Sequence, residues 1–218
     1  MSRVRDQGRN MTVVKTLTYL MFAMFAMTTD SVGLIIPEVI RTFGLSLTAA
    51  GTFQYATMAG IAVAALLFGQ LADRLGRRPT IIVGLVLFAS ACFLMVTGDR
   101  LTVFAILLGL SGVAIGVFKT GALALIGDIS TSTAQHTTIM NMAEGFFGVG
   151  AILGPAILTR LLQRGLPWQW LYLVAGSMCV GLIVLALLVS YPKSPTPPDG
   201  QPLKGTGRAL RSPYVLAF

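Results

Sequence analysis

Apolar and polar positions are segregated along this chain into six long apolar stretches separated by short polar ones. The stretches cover about 16–37, 49–72, 80–98, 101–127, 137–159 and 168–191, and the second and third contain no Asp, Glu, Lys or Arg. Each is close to the roughly 20 residues that a helix needs to cross a hydrocarbon core about 30 Å thick. Continuous runs select helices over barrel strands, which would alternate apolar and polar residues, and lipid leaves no other backbone solution. The pattern predicts an all-α integral membrane bundle of six spans.

Composition agrees, with 55% hydrophobic and 11% charged residues, less than half the charge of an ordinary soluble domain at about 25%. The net charge of +8 would suit nucleic acid if it formed one patch, but the basic residues flank the spans. With the amino terminus in the cytoplasm, Arg3, Arg5, Arg9, Lys15, Arg74, Arg77, Arg78, Lys193, Lys204, Arg208 and Arg211 lie inside, against Arg41, Arg100, Arg160 and Arg164 outside. That bias predicts both ends in the cytoplasm, in the plasma (inner) membrane, with no nucleic-acid partner. Residues 1–11 form a tail without a signal-peptide cleavage site. Residues 192–212 read as a Pro-rich basic linker, and 213–218 are expected to begin a seventh helix that is cut short.

Trp168, Trp170 and Tyr172 predict an interfacial aromatic belt at the start of the sixth span. Cys92 and Cys179 sit mid-span and read as packing residues. His136, the single histidine, stands in a Ser/Thr-rich loop expected over 128–136 without a cluster at metal spacing. No metal or other cofactor is expected, and an enzyme would need a nucleophile or base beyond this loop histidine beside Asp128.

Three ionisable residues fall inside spans: Asp30, Lys119 and Glu144. A charge at mid-bilayer costs at least about 2.5–3.5 kcal/mol, so each should face a partner or water. Helical spacing puts Asp30 with Ala23, Ala26, Gly33 and Pro37, Lys119 with Gly109, Gly112 and Gly116, and Glu144 with Thr137, Asn141, Gly148, Ala151 and Pro155. These small-residue stripes predict the bundle interior. Similar depth predicts a Lys119–Glu144 ion pair on the cytoplasmic side of a central cavity, with Asp30 and Gln54 towards the outside. The pair either fixes helix packing or serves substrate binding and ion coupling.

Between the second and third spans stands Gly69-Gln-Leu-Ala-Asp73-Arg74-Leu-Gly76-Arg77-Arg78. Gly69 should allow two helices to approach, Gly76 to supply an unusual turn, and Asp73 to accept hydrogen bonds. The arginines hold the loop in the cytoplasm, where they can pair with Asp73 or lipid phosphates. This loop, in a six-span chain with a basic linker, resembles the amino-terminal half of a major facilitator superfamily transporter. The resemblance covers about residues 12–192 and implies one half of a twelve-helix fold, a carboxy-terminal six-helix half as partner, and a loop that acts as a conformational latch.

In the fifth span, Gly150-x-x-x-Gly154-Pro155 resembles a motif of proton-coupled antiporters, and it is equally a small-residue packing seam. Drug antiporters also carry an Arg early in the fourth span, where Leu107-Leu108-Gly109-Leu110 stands here. The stretch Thr29–Pro37 and the fourth and fifth spans are similar to fucose-permease-type sugar symporters, although Lys119 stands near the place of their carboxylate. The resemblance implies a secondary active transporter of a small polar, sugar-like solute, driven by an ion gradient, with the proton as the expected ion. The alternatives are a proton-coupled drug or metabolite antiporter and a non-transporting membrane receptor or assembly protein. The substrate and coupling candidates are Asp30, Gln54, Lys119, Asn141 and Glu144.

Overall fold

The computed structural model describes residues 2–192, with side-chain environments from residue 10. The linker after Pro192, the start of a seventh helix at 213–218, and the side chains of Arg3, Arg5 and Arg9 lie outside the described residues. Among the described residues eight helices are formed: α1 (Ser2–Thr29), α2 (Val32–Phe43), α3 (Leu47–Phe68), α4 (Leu71–Leu75), α5 (Arg77–Thr97), α6 (Leu101–Ile129), α7 (Thr133–Gln163) and α8 (Trp170–Leu188). With α1 and α2 taken together, six of these units are long and apolar enough to cross a membrane.

The first span is not one helix, as the apolar run suggested; it breaks at Asp30-Ser31. The hydroxyls of Thr28 and Thr29 donate to the Phe25 carbonyl at 3.1 and 3.3 Å, and Ser31 donates to Met27 O at 2.6 Å. Three side chains thus compete for carbonyls in a single turn, which bends helices. Pro37, inside α2, lacks an N–H and its ring crowds the carbonyl of Gly33, so the ladder is weakened from both sides.

The 128–136 stretch is not a loop either. α6 runs through Asp128 to Ile129, and α7 starts at Thr133 and includes His136. Ser132 caps α7 by accepting from Gln135 N–H at 3.2 Å, while Gln135 Oε1 accepts from Thr131 N–H at 2.7 Å. This reciprocal capping leaves only three residues between two spans.

The helices assemble through small-residue seams. A Cβ on Gly112 would lie 2.2 Å from Thr57 O and one on Gly116 would lie 2.4 Å from Ala64 Cβ, so α6 is pressed against α3. Gly150 and Gly154 do the same for α7 on α1, at 2.0 Å from Ala23 O and 2.1 Å from Met27 O. Backbones in such contact gain dispersion along the whole crossing, which lipid cannot supply. Phe25 joins α1 to α5 and α6 through ring contacts with Phe88 and Phe118 at 4.6 and 4.5 Å.

The aromatic residues before and within α8 form no belt as a group. Trp168 and Tyr172 are buried and stack edge-on with each other, and Trp168 with Phe104, at centroid separations of 6.1 and 5.0 Å. Trp170 alone of the three is exposed. Cys92 and Cys179 are buried free thiols, and the Cys179 thiol donates to Leu85 O at 3.2 Å.

Candidate functional site

Two groups of polar side chains stand out, one at the end of the bundle and one on its flank. The first is built on α4, the junction with α5, and the end of α6. Gly76 takes φ +93°, a conformation that L side chains resist, and this reverses the chain so that α5 starts at once with Arg77. What looked like an open loop is therefore a helical turn followed directly by a span.

Arg77 is the centre of this group. Its Nε donates to Asp128 Oδ2 at 2.8 Å and its Nη1 donates to Asp73 Oδ1 at 2.5 Å and to Ala72 O at 2.9 Å. The side chains of Arg77 and Asp128 are only 14% and 13% exposed, against 52% for Asp73. The Arg77–Asp128 pair is thus largely desolvated, and its Coulomb attraction is screened less than that of a surface pair. Asp128 carries this site together with Arg77, although in the sequence it stands only at the start of the expected 128–136 loop. The available signal was a carboxylate ending the fourth span at the membrane face that holds the basic loop.

Arg78 turns the other way. Its Nε and Nη2 donate to Ala186 O and Leu187 O at 3.3 and 2.6 Å, and its guanidinium lies 5.9 Å from the centre of the Tyr191 ring. A cation on the last carbonyls of α8 satisfies acceptors the helix cannot and opposes its negative dipole end. Arg74 is exposed and donates to Gln70 Oε1 at 3.4 Å. Gly69 does not bring two helices together: its close neighbour is Ala65 O of the preceding helix turn.

The second group holds the ionisable residues of the spans, and its geometry differs from the interior arrangement expected. Lys119 and Glu144 form no ion pair among the described residues; Lys119 Nζ sits 5.3 Å from the centre of the Phe147 ring instead. Phe147 is one turn beyond Glu144 on α7, and the ammonium is held by this aromatic face and not by the carboxylate. Glu144, Asn141 and Gly148 are exposed, and Lys119 is half-buried. A Cβ on Gly145 or Gly148 would meet nothing within 4 Å.

The small-residue stripes therefore have separate fates. On α6 the stripe of Gly112 and Gly116 is spent on packing against α3. On α7 the packing seam is Ala143, Gly150 and Gly154, while the stripe carrying Asn141 and Glu144 looks out of the bundle. Pro155 lies half-buried beside that seam. Asp30 is exposed at the α1–α2 break and accepts from Thr29 Oγ1 at 2.9 Å, not from Gln54, which is half-buried on α3. Inside the bundle the void between Thr28, Thr57, Ser111 and Tyr172 measures about 10 Å³, the space of one water at most. No solute fits there.

Comparison with known proteins places this geometry. At 20% identity the chain superposes on the E. coli fucose:proton symporter FucP with a TM-score of 0.61, covering 84% of this chain and 50% of that one. It is 26% identical over 211 residues to a TsgA homologue of Erwinia tasmaniensis, covering 93% of this chain and 53% of the relative. It is 28% identical over 193 residues to the multidrug transporter protein MdtP of Bacillus subtilis, covering 85% and 34%. The multidrug resistance protein MdtL of Klebsiella pneumoniae is 28% identical over 162 residues, covering 73% and 41%. The chain thus spans about half or less of the length of these relatives. The sequence profile of the Major Facilitator Superfamily matches residues 18–218, and with six spans arranged as half of that fold, the chain belongs to the major facilitator superfamily.

Proposed function

We propose that the chain is one half of a secondary active transporter of a small polar solute, working by alternating access together with a second six-helix half. The observation that carries this reading is the placement of Lys119, Asn141 and Glu144. They lie in membrane spans, yet on the flank of the bundle, with no ion pair among themselves. Ionisable groups at that depth are too costly to face lipid, so the flank borders water between two halves. Transporters of this architecture bind near the midplane between their repeats, which rock about the site.

In this reading Asn141 and Glu144 offer acceptors and an amide donor to a hydroxylated solute, and Lys119, held on Phe147, supplies a positive charge beside the solute path. Asp30 and Gln54 serve the other end of the same face. Gly69, Asp73, Arg74, Gly76, Arg77 and Arg78 govern the motion, because Arg77 joins the α4 turn to α6 and Arg78 joins it to α8. Sugar-like solutes and proton coupling are the first expectation, supported by the fold shared with a fucose:proton symporter. The basic end of the bundle lies in the cytoplasm of an inner membrane, following the Lys/Arg bias.

A second reading, a proton-coupled antiporter of drugs or metabolites, is favoured by relatives described as multidrug transporters. Here Gly150, Gly154 and Pro155 would matter through the α1–α7 seam. Uptake and efflux by the complete gene product in proteoliposomes, across a panel of sugars and lipophilic cations with and without a pH gradient, separates the two. Gradient-driven sugar accumulation supports the first and gradient-driven cation extrusion the second. Loss of neither activity on Lys119→Ala and Glu144→Ala would show that the flank residues do not serve transport.

A further inference from the structure

The groove between the middle of α1, from Asn10 to Leu20, and the end of α8 holds two cavities. The mouth, about 450 Å³, is lined by Asn10, Met11, Val14, Ser190, Tyr191 and Pro192. One turn deeper lies a slot of about 260 Å³ between Val13, Thr16, Leu17 and Leu20 of α1 and Leu185 and Val189 at the end of α8. Val13 and Leu20 are exposed, so the slot opens on the side of the bundle. Its wall has no charged residue.

The mouth has different chemistry. The phenol oxygen of Tyr191 is buried and has no hydrogen-bond partner. Burial pushes the Tyr191 phenol up to about 12, so it remains an O–H donor at any physiological pH. A buried donor left unpaired costs stability, and a ligand that accepts from it recovers that cost. Arg78 lies over the same ring and covers the last carbonyls of α8, cancelling the negative helix end that would otherwise repel an anion. Lys15 stands on the next turn of α1 from Met11.

We propose that this groove is a phospholipid site with a preference for anionic headgroups. The phosphodiester occupies the mouth and accepts from the Tyr191 phenol, with Ser190 and Asn10 alongside, and an acyl chain runs down the slot between α1 and α8. A free phosphate would leave the slot unused. A purely apolar ligand would leave the phenol unpaired. Basic residues at a membrane face attract anionic lipid in just this depth range.

Native mass spectrometry of the purified protein in detergent, titrated with phosphatidylglycerol, phosphatidylcholine and inorganic phosphate, tests the site. Phosphatidylglycerol should bind at least about tenfold more tightly than phosphatidylcholine, and phosphate should neither saturate nor compete. Tyr191→Phe, which keeps the ring, should weaken phosphatidylglycerol about tenfold. Val13→Trp, which fills the slot, should weaken both lipids without changing the circular dichroism. Equal binding of the two lipids, competition by phosphate, or unchanged lipid affinity in both variants would overturn the proposal. So would lipid binding that appears only after residues 193–218 are removed, since the groove would then belong to the chain itself.

Discussion

Arg77 binds three acceptors in three places: a carboxylate on α4, a carbonyl on α4, and a carboxylate at the end of α6. Its planar fork can serve these directions at once, whereas a lysine is a point charge on a flexible stem. Arg77→Lys should therefore lower stability even though the charge is kept, because one ammonium cannot match all three acceptors, and Asp128→Asn should lower it by about 1–3 kcal/mol, because it leaves the largely desolvated guanidinium without its carboxylate. Thermal unfolding in detergent checks both. A double-mutant cycle of Arg77→Ala with Asp128→Ala should show a coupling of roughly 1 kcal/mol or more, while the same cycle with the exposed Asp73 should show less. Two of this cluster's three side chains were legible, since Asp73 and Arg77 stand four residues apart in a recognisable motif. Asp128 was not, because it lies 51 residues away and only the packing of α5 on α6 brings it there.

At the scale of the helix, the same residue type has opposite roles on two faces. Gly154 faces the Met27 carbonyl and Gly148 faces open space, although both lie on α7. Gly154→Ala must push α7 off α1 and should cost about 1–3 kcal/mol. Gly148→Ala should leave stability unchanged or raise it by up to about 1 kcal/mol through helix propensity. Chemical or thermal denaturation of the two variants side by side checks this, and equal effects would mean that the seam is not set by close backbone contact.

The spans themselves were readable because lipid demands about twenty apolar residues whatever the helices pack against. The break at Asp30-Ser31 was harder to see, since it arises from hydroxyls bonding back to Phe25, Ala26 and Met27 within an otherwise apolar run. Helical periodicity placed Asn141 and Glu144 on one stripe correctly but did not say which stripe of α7 meets α1. Small residues pointed to the interior, and on α7 the true seam is the neighbouring stripe of Ala143, Gly150 and Gly154.

For the whole molecule, the six spans pack on one another and leave Lys119 and Glu144 towards their flank, the face that the proposed function assigns to a solute path. The expected Lys119–Glu144 pair is replaced by Lys119 on Phe147. The two charges are thereby available to respond separately, so Lys119→Ala and Glu144→Ala should each impair transport by tenfold or more without lowering the unfolding temperature appreciably. His136, half-buried near the start of α7, has no part in this account, and His136→Ala should transport normally. The most direct measurement is solute accumulation by the complete gene product in proteoliposomes under an imposed pH gradient, comparing the parent with Lys119→Ala, Glu144→Ala and His136→Ala. The prediction is gradient-dependent accumulation in the parent and in His136→Ala, and its loss in the other two; accumulation that persists in both flank variants would contradict it.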